Sequence, residues 1–171
     1  MKKIAIFLIM ISIYAVIPYI NTVDGNTDIN IDITEENSEL YRVVRVVDGD
    51  TIVININNIE EYVRLIGVDC PESVHPDSTK NTELGDLSSA FTKRFLEGEY
   101  VSLELDVQER DKYGRILAYV YIDDIMFNKI LLAAGMAQVA TFPPNVKYVN
   151  EFQRIQQDAI ENNAGLWGLW E

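Results

Sequence analysis

Tyr41-Arg-Val-Val-Arg-Val-Val47, Thr51-Ile-Val-Ile-Asn-Ile56 and Glu61-Tyr-Val-Arg-Leu-Ile-Gly67 are three short runs in close succession, rich in Val and Ile. Branched side chains of this kind suit a pleated, half-buried surface, so each run reads as a strand. Asn57-Asn58 between the second and third runs is a turn signal. Between the first and second stands Asp48-Gly49-Asp50, where glycine permits a tight bend and Asp50 opens the next strand. Three consecutive strands therefore set the class of the domain as mainly β.

Downstream, Ser73 to Thr82 holds clusters of Ser, Thr, Asn and Asp around Pro76 and reads as a loop. Leu87, Phe91 and Phe95, with Ala90 beside them, fall at helical spacing, and Gly98 ends that helix. Tyr100 to Leu105 alternates, with Val101, Leu103 and Leu105 on one face, and Arg115 to Ile122 makes a fifth strand turned by Asp123-Asp124. Met126 to Ala134 reads as a second helix stopped by Gly135. Asn145 is placed to cap a third, whose apolar stripe is Tyr148, Phe152, Ile155 and Ala159 before Gly165. Five short strands with a helix between the third and fourth suggest an α+β, mainly β fold: a small closed Greek-key barrel with three helices. No internal repeat is present.

Upstream, Lys2 and Lys3 precede an apolar run from Ile4 to Ile20. Residues 1–25 thus read as a signal peptide or an N-terminal membrane anchor, placing the protein as secreted or membrane-anchored, outside the cytoplasm. Residues 26–40 read as a polar acidic linker, and 41–171 as the folded domain. The chain carries 27 acids and 14 bases, a net charge of -13, of which -9 falls in residues 41–171. That balance disfavours a protein that grips nucleic acid by bulk charge, and it suits calcium binding or solubility. One cysteine excludes an internal disulfide and a Cys-rich zinc site, and one histidine excludes a site built on several.

Three clusters carry chemistry: Val47-Asp48-Gly49-Asp50-Thr51, the run Arg64-Leu65-Ile66-Gly67-Val68-Asp69-Cys70-Pro71-Glu72, and Asp111-Lys112-Tyr113-Gly114-Arg115. Singly, each reads as a turn or a loop, the last with an ion pair. Together they suit phosphodiester hydrolysis. A hard divalent cation takes oxygen donors, which Asp50, Asp69 and the Cys70 carbonyl can supply. Arg64 and Arg115 match the charge that gathers on a phosphate. Glu72 is placed to orient and deprotonate water.

In order and spacing, these three motifs, with Ala118-Tyr119 after the last, resemble the staphylococcal-nuclease-like (thermonuclease) family across about residues 41–168. The resemblance implies a five-stranded OB-fold barrel with three helices, and calcium-dependent cleavage of DNA and RNA to products carrying a 3′-phosphate. It implies Asp50 and Asp69 as calcium ligands with the Cys70 carbonyl, and Glu72 as general base or water-orienting group. Arg64 and Arg115 become the catalytic arginines, with Lys112 and Tyr113 against a nucleotide phosphate. The sequence departs from the family where members carry threonine in place of Cys70. It departs again where two nucleotide-packing tyrosines give way to Ala140-Thr141-Phe142-Pro143-Pro144, leaving Phe142 or Tyr148 as the candidate aromatics. Lys147 joins Lys112 and the two arginines as an expected substrate contact.

Other residues read plainly. His75 is expected in an exposed loop, Cys70 is not expected to be a nucleophile, and Trp167 and Trp170 pack the last helix. A monomer is expected. The competing function is a noncatalytic OB-fold module binding nucleic acid or protein. Such a module would keep the apolar barrel positions while losing the acids and arginines, and here Asp50, Asp69, Glu72, Arg64 and Arg115 are all present.

Overall fold

The β-branched runs form strands because their alternate side chains have a core to enter. In the computed structural model, which describes residues 39–73 and 82–169, β1 (Tyr41–Asp48), β2 (Thr51–Ile56) and β3 (Ile59–Leu65) pair antiparallel in sequence. Asn57-Asn58 turns β2 into β3 with φ of 53° and 68°, the left-handed pair of a tight hairpin that asparagine tolerates well. After β4 (Val68–Asp69) come α1 (Glu83–Leu96), β5 (Tyr100–Arg110), β6 (Ile116–Ile122) and β7 (Ile125–Met126). The chain then runs through α2 (Phe127–Ala133), β8 (Gln138–Val139), α3 (Val149–Glu161) and a 3-10 turn at Gly165–Leu169.

The sheet order β3-β2-β1-β5-β6 closes on itself, because β6 also pairs with β3 in parallel. Closure removes the edges an open sheet would expose and makes the five-stranded mixed barrel of an OB-like α+β fold. Val43, Ile52, Ile54, Val63, Val101 and Val120 fill it, each fully buried. At one end Phe127 of α2 packs on Phe91 and Phe95 of α1, and Phe152 of α3 packs edge-on against Tyr119 of β6. Buried Asn128 joins α2 to the barrel: its Nδ2 donates to the Ile66 carbonyl at 2.8 Å, and its Oδ1 accepts the Val120 amide at 2.9 Å. A buried amide satisfied on both sides fixes one arrangement of helix on barrel.

Four local expectations change. The third strand ends at Leu65 rather than Gly67, because Gly67 turns the chain at φ 78° against the Phe152 ring. The strand expected at Tyr100–Leu105 continues to Arg110, with an irregular register between Leu105 and Arg110. Asn145 does not cap α3; that helix follows Tyr148, and Asn145 instead exchanges two hydrogen bonds with the Gln108 backbone, both at 2.8 Å. Leu87 lies 49% exposed, while Gly85, Ser88 and Thr92 give α1 its buried face. The segments read as signal or anchor, most of the linker, His75 with Pro76, and Trp170 lie outside the described residues.

Candidate active site

The hairpin and the barrel closure put the first two motifs side by side. Thr51 of β2 pairs with Arg64 of β3, and the Leu65 amide donates to the Asp50 carbonyl at 2.9 Å, so Asp50 and Arg64 are neighbours. Arg64 Nη1 donates to Asp50 Oδ1 in a very close ion pair, and Nη2 donates to Asp69 Oδ1 at 2.8 Å and to the Val68 carbonyl at 3.2 Å. Asp50 is buried, and its other oxygen accepts the Cys70 amide at 2.8 Å. Asp69 is pinned differently: β4 pairs with β8, setting Asp69 opposite Gln138 and leaving its carboxylate half-exposed. Two carboxylates, one from the turn between β1 and β2 and one from β4, thus converge on one positive charge. Nearby Asp48 is largely desolvated, and that burial raises its carboxyl above the usual range although Arg64 opposes it.

Cys70 and Glu72 follow directly. Burial pushes the Cys70 thiol up to about 12, so it stays neutral, and it meets Asp50 through its backbone amide. Glu72 is exposed, and its carbonyl accepts the Thr82 amide at 2.9 Å.

The third motif is a turn built around an acid. Asp111 Oδ1 accepts the amides of Tyr113 at 2.9 Å and Arg115 at 3.0 Å, and Oδ2 accepts Arg115 Nε at 2.7 Å. Desolvation works against the Asp111 carboxylate, but the Arg115 side chain and the two amides outweigh it and hold the carboxyl below its ordinary range. Arg115 is thereby fixed through Nε, and its terminal nitrogens have no partner among the described residues. Its guanidinium and the Lys112 ammonium lie 5.7 Å and 5.0 Å from the centre of the Tyr113 ring.

These groups face one cleft of about 550 Å³, lined among others by Arg64, Asp69, Glu72, Lys112, Tyr113 and Arg115, with Phe142 and Pro143 on its far wall. Asp50 and Cys70 are not in that lining; Asp50 lies beneath, reached through Arg64. Tyr113 and Phe142 are both strongly exposed. Tyr148 is not in this lining: its hydroxyl donates to Glu104, and its ring packs on Tyr119 and Phe152. Lys147 is likewise drawn off, paired with Glu104 at 2.6 Å. Of the two aromatic candidates, the cleft takes Phe142. Among the described residues no three acidic, thiol or imidazole groups cluster as a ready-made metal site. The donor chemistry nonetheless fits a hard cation: two carboxylates already converge, and water or substrate oxygen would complete the shell.

The ion pair read in this turn is the Asp111–Arg115 pair, but sequence reasoning gave Asp111 no part in orienting Arg115, though an acid four residues before an arginine across a turn glycine was the available signal. It also missed the small face of α1: Thr92 Oγ1 donates to the Gly49 carbonyl at 2.6 Å and Ser88 Oγ to the Met136 carbonyl at 2.5 Å. A Cβ on Gly49 would meet Cys70 Sγ at 2.6 Å and Ser88 Cβ at 2.9 Å, so the Asp-Gly-Asp bend and α1 touch only because that residue is glycine.

Residues 62–169 match the family described as staphylococcal nuclease homologue. The chain is 40% identical over 167 residues to the thermonuclease of Staphylococcus intermedius, covering 98% of this chain and 99% of that one. It is 40% identical over 135 residues to the thermonuclease of Staphylococcus hyicus, 79% of each chain. Endonuclease YncB of Bacillus subtilis (strain 168) matches at 38% over 125 residues, 72% of this chain and 59% of that one.

Proposed function

The chain belongs to the staphylococcal nuclease homologue family, and from that premise we propose that it is a calcium-dependent nuclease that hydrolyses DNA and RNA to products ending in a 3′-phosphate. The observation that carries the reading is the convergence of Asp50 and Asp69 on Arg64, at a cleft that also holds Glu72, Arg115, Lys112 and Tyr113. A noncatalytic binding module would have no use for a buried and a half-exposed carboxylate converging on one arginine.

Arg115, oriented by Asp111, presents its terminal nitrogens to a phosphate oxygen, and Arg64 approaches the same phosphate from the β3 side. Glu72 accepts a proton from the attacking water as the new oxygen–phosphorus bond forms. The bond from phosphorus to the 5′ oxygen breaks, and that oxygen takes a proton from solvent. Lys112 and Tyr113 contact the neighbouring phosphate, and Phe142 offers a face to a base. Asp50, Asp69 and the Cys70 carbonyl would hold the cation. When bound, it supplies concentrated positive charge against the phosphate oxygens. The basic and apolar start of the chain supports export or membrane anchoring, which the intact mass of the mature protein would distinguish.

The test is degradation of plasmid DNA and of an RNA, with millimolar-scale calcium and with excess chelator, followed by end-group analysis. Activity only with calcium, and 3′-phosphate ends, are expected. Full activity in chelator would overturn the assignment.

A further inference from the structure

Glu72 forms no side-chain hydrogen bond or ion pair among the described residues, so its carboxylate is placed by its backbone. Upstream, the strap to Glu72 is held where the Cys70 amide meets Asp50, and Pro71 then restricts φ. Downstream, the Glu72 carbonyl accepts the Thr82 amide at 2.9 Å, with Thr82 Oγ1 at 3.5 Å. Thr82 is also the N-cap of α1, its hydroxyl accepting the Gly85 amide at 3.0 Å. Gly85 lies within the first turn of that helix, although glycine is a poorer helix former than alanine. Its reason is contact: a Cβ there would lie 2.1 Å from the Glu72 carbonyl oxygen and 2.7 Å from the Ser73 nitrogen. The helix is itself tied down by Thr92, at the Gly49 carbonyl of the barrel, and by Ser88, at the Met136 carbonyl beyond α2.

Resting on the reading of Glu72 as the base, we propose that Gly85 and Thr82 are positioning residues: the bare first turn of α1 is the seat that fixes Glu72 over the reacting phosphate. The seat acts through Glu72 alone. Gly85→Ala must push the Glu72 backbone off the helix, and small misplacements of a catalytic group have large effects on rate.

The experiment is steady-state cleavage of a short single-stranded DNA at saturating calcium, for Gly85→Ala, Thr82→Ala and Thr82→Ser, each alone and combined with Glu72→Gln. Calcium affinity is read by calorimetry and folding by thermal melting. Gly85→Ala is expected to lower kcat by roughly 10- to 100-fold, with KM and calcium affinity within about twofold of wild type. In the Glu72→Gln background the same substitution should cost nothing further, since there is no base left to misplace. Thr82→Ala should lower kcat several-fold and Thr82→Ser should restore it, which carries the test even if Gly85→Ala does not fold. Equal losses in both backgrounds, or a folded Gly85→Ala with wild-type kcat, would overturn the seat while leaving the base in place. Wild-type turnover of Glu72→Gln by itself would overturn the reading of Glu72, and the seat with it.

Discussion

Arg64 keeps only 18% of its side chain exposed and shares one guanidinium between Asp50, which is nearly sealed from solvent, and the half-exposed Asp69. Removing one partner of a buried ion pair leaves the other charge uncompensated, typically at about 3 to 5 kcal/mol. Arg64→Gln should therefore destabilise the metal-free protein by about 3 kcal/mol, in addition to lowering turnover. A cation at the same carboxylates replaces the lost charge. Calcium should accordingly raise the Tm of Arg64→Gln by more than it raises that of wild type. The comparison needs only thermal melts with calcium and with chelator. A calcium shift no larger than wild type's would mean that guanidinium and cation do not share the carboxylates.

The turn that delivers Arg115 depends on a charge, so its integrity depends on pH. The Asp111 carboxyl is held below its ordinary range in the folded protein, since Arg115 and two amides favour the ionised form over the penalty of burial. A depressed carboxyl contributes stability that is complete above the unfolded value, near 3.9 or about pH 4. That contribution is lost as pH falls through the folded value. Asp111→Asn should cost about 1 kcal/mol at neutral pH and reduce the fall of Tm on acidification. It should also lower turnover, because Arg115 loses the partner on Nε. An unchanged acid limb in the variant would show that the turn is held by its backbone. Legibility follows the same division between backbone pattern and side-chain partnership. The first three strands could be read because short runs rich in Val and Ile are bounded by turn residues, and α2 because Gly135 stops it with φ 65°. The extension of β5 to Arg110 could not, since Gln108 to Arg110 is polar and is held by Asn145 across a long stretch of sequence. The inward face of α1 was hidden for a related reason. Its contacts with the Asp-Gly-Asp bend need Ser88 and Thr92 and its contact with Glu72 needs Gly85, whereas hydrophobicity alone points to Leu87. Asp50, Arg64, Asp69 and Glu72 were legible as a set, but the sharing of one guanidinium by both aspartates depends on the β2–β3 register and the β4–β8 pairing.

Across the whole molecule, charge decides how the substrate is held. The folded segment from residue 41 onward carries a net -9, so its long-range field repels polyanions. Pairing thins the basic groups further. Arg45, Lys93, Arg110, Lys129 and Lys147 each sit against a carboxylate of the same chain. In the cleft, Arg64 and Arg115 are also paired with acids, and Lys112 makes no ion pair among the described residues. Binding must then come from local contacts to about three phosphates rather than from a basic groove, with the cation offsetting the carboxylates beneath them. Counterion release from a single strand scales at about 0.7 per phosphate neutralised, so the slope of log affinity against log salt should be near -2, about the value for three contacts. Without calcium, the exposed negative charge of Asp69 and Glu72 should weaken binding strongly and flatten the slope. The measurement is titration of a short single strand against Glu72→Gln protein over a range of salt, with calcium and with chelator. A slope near about -5 that persists in chelator would demand roughly seven phosphate contacts, more than the basic side chains of this cleft can make.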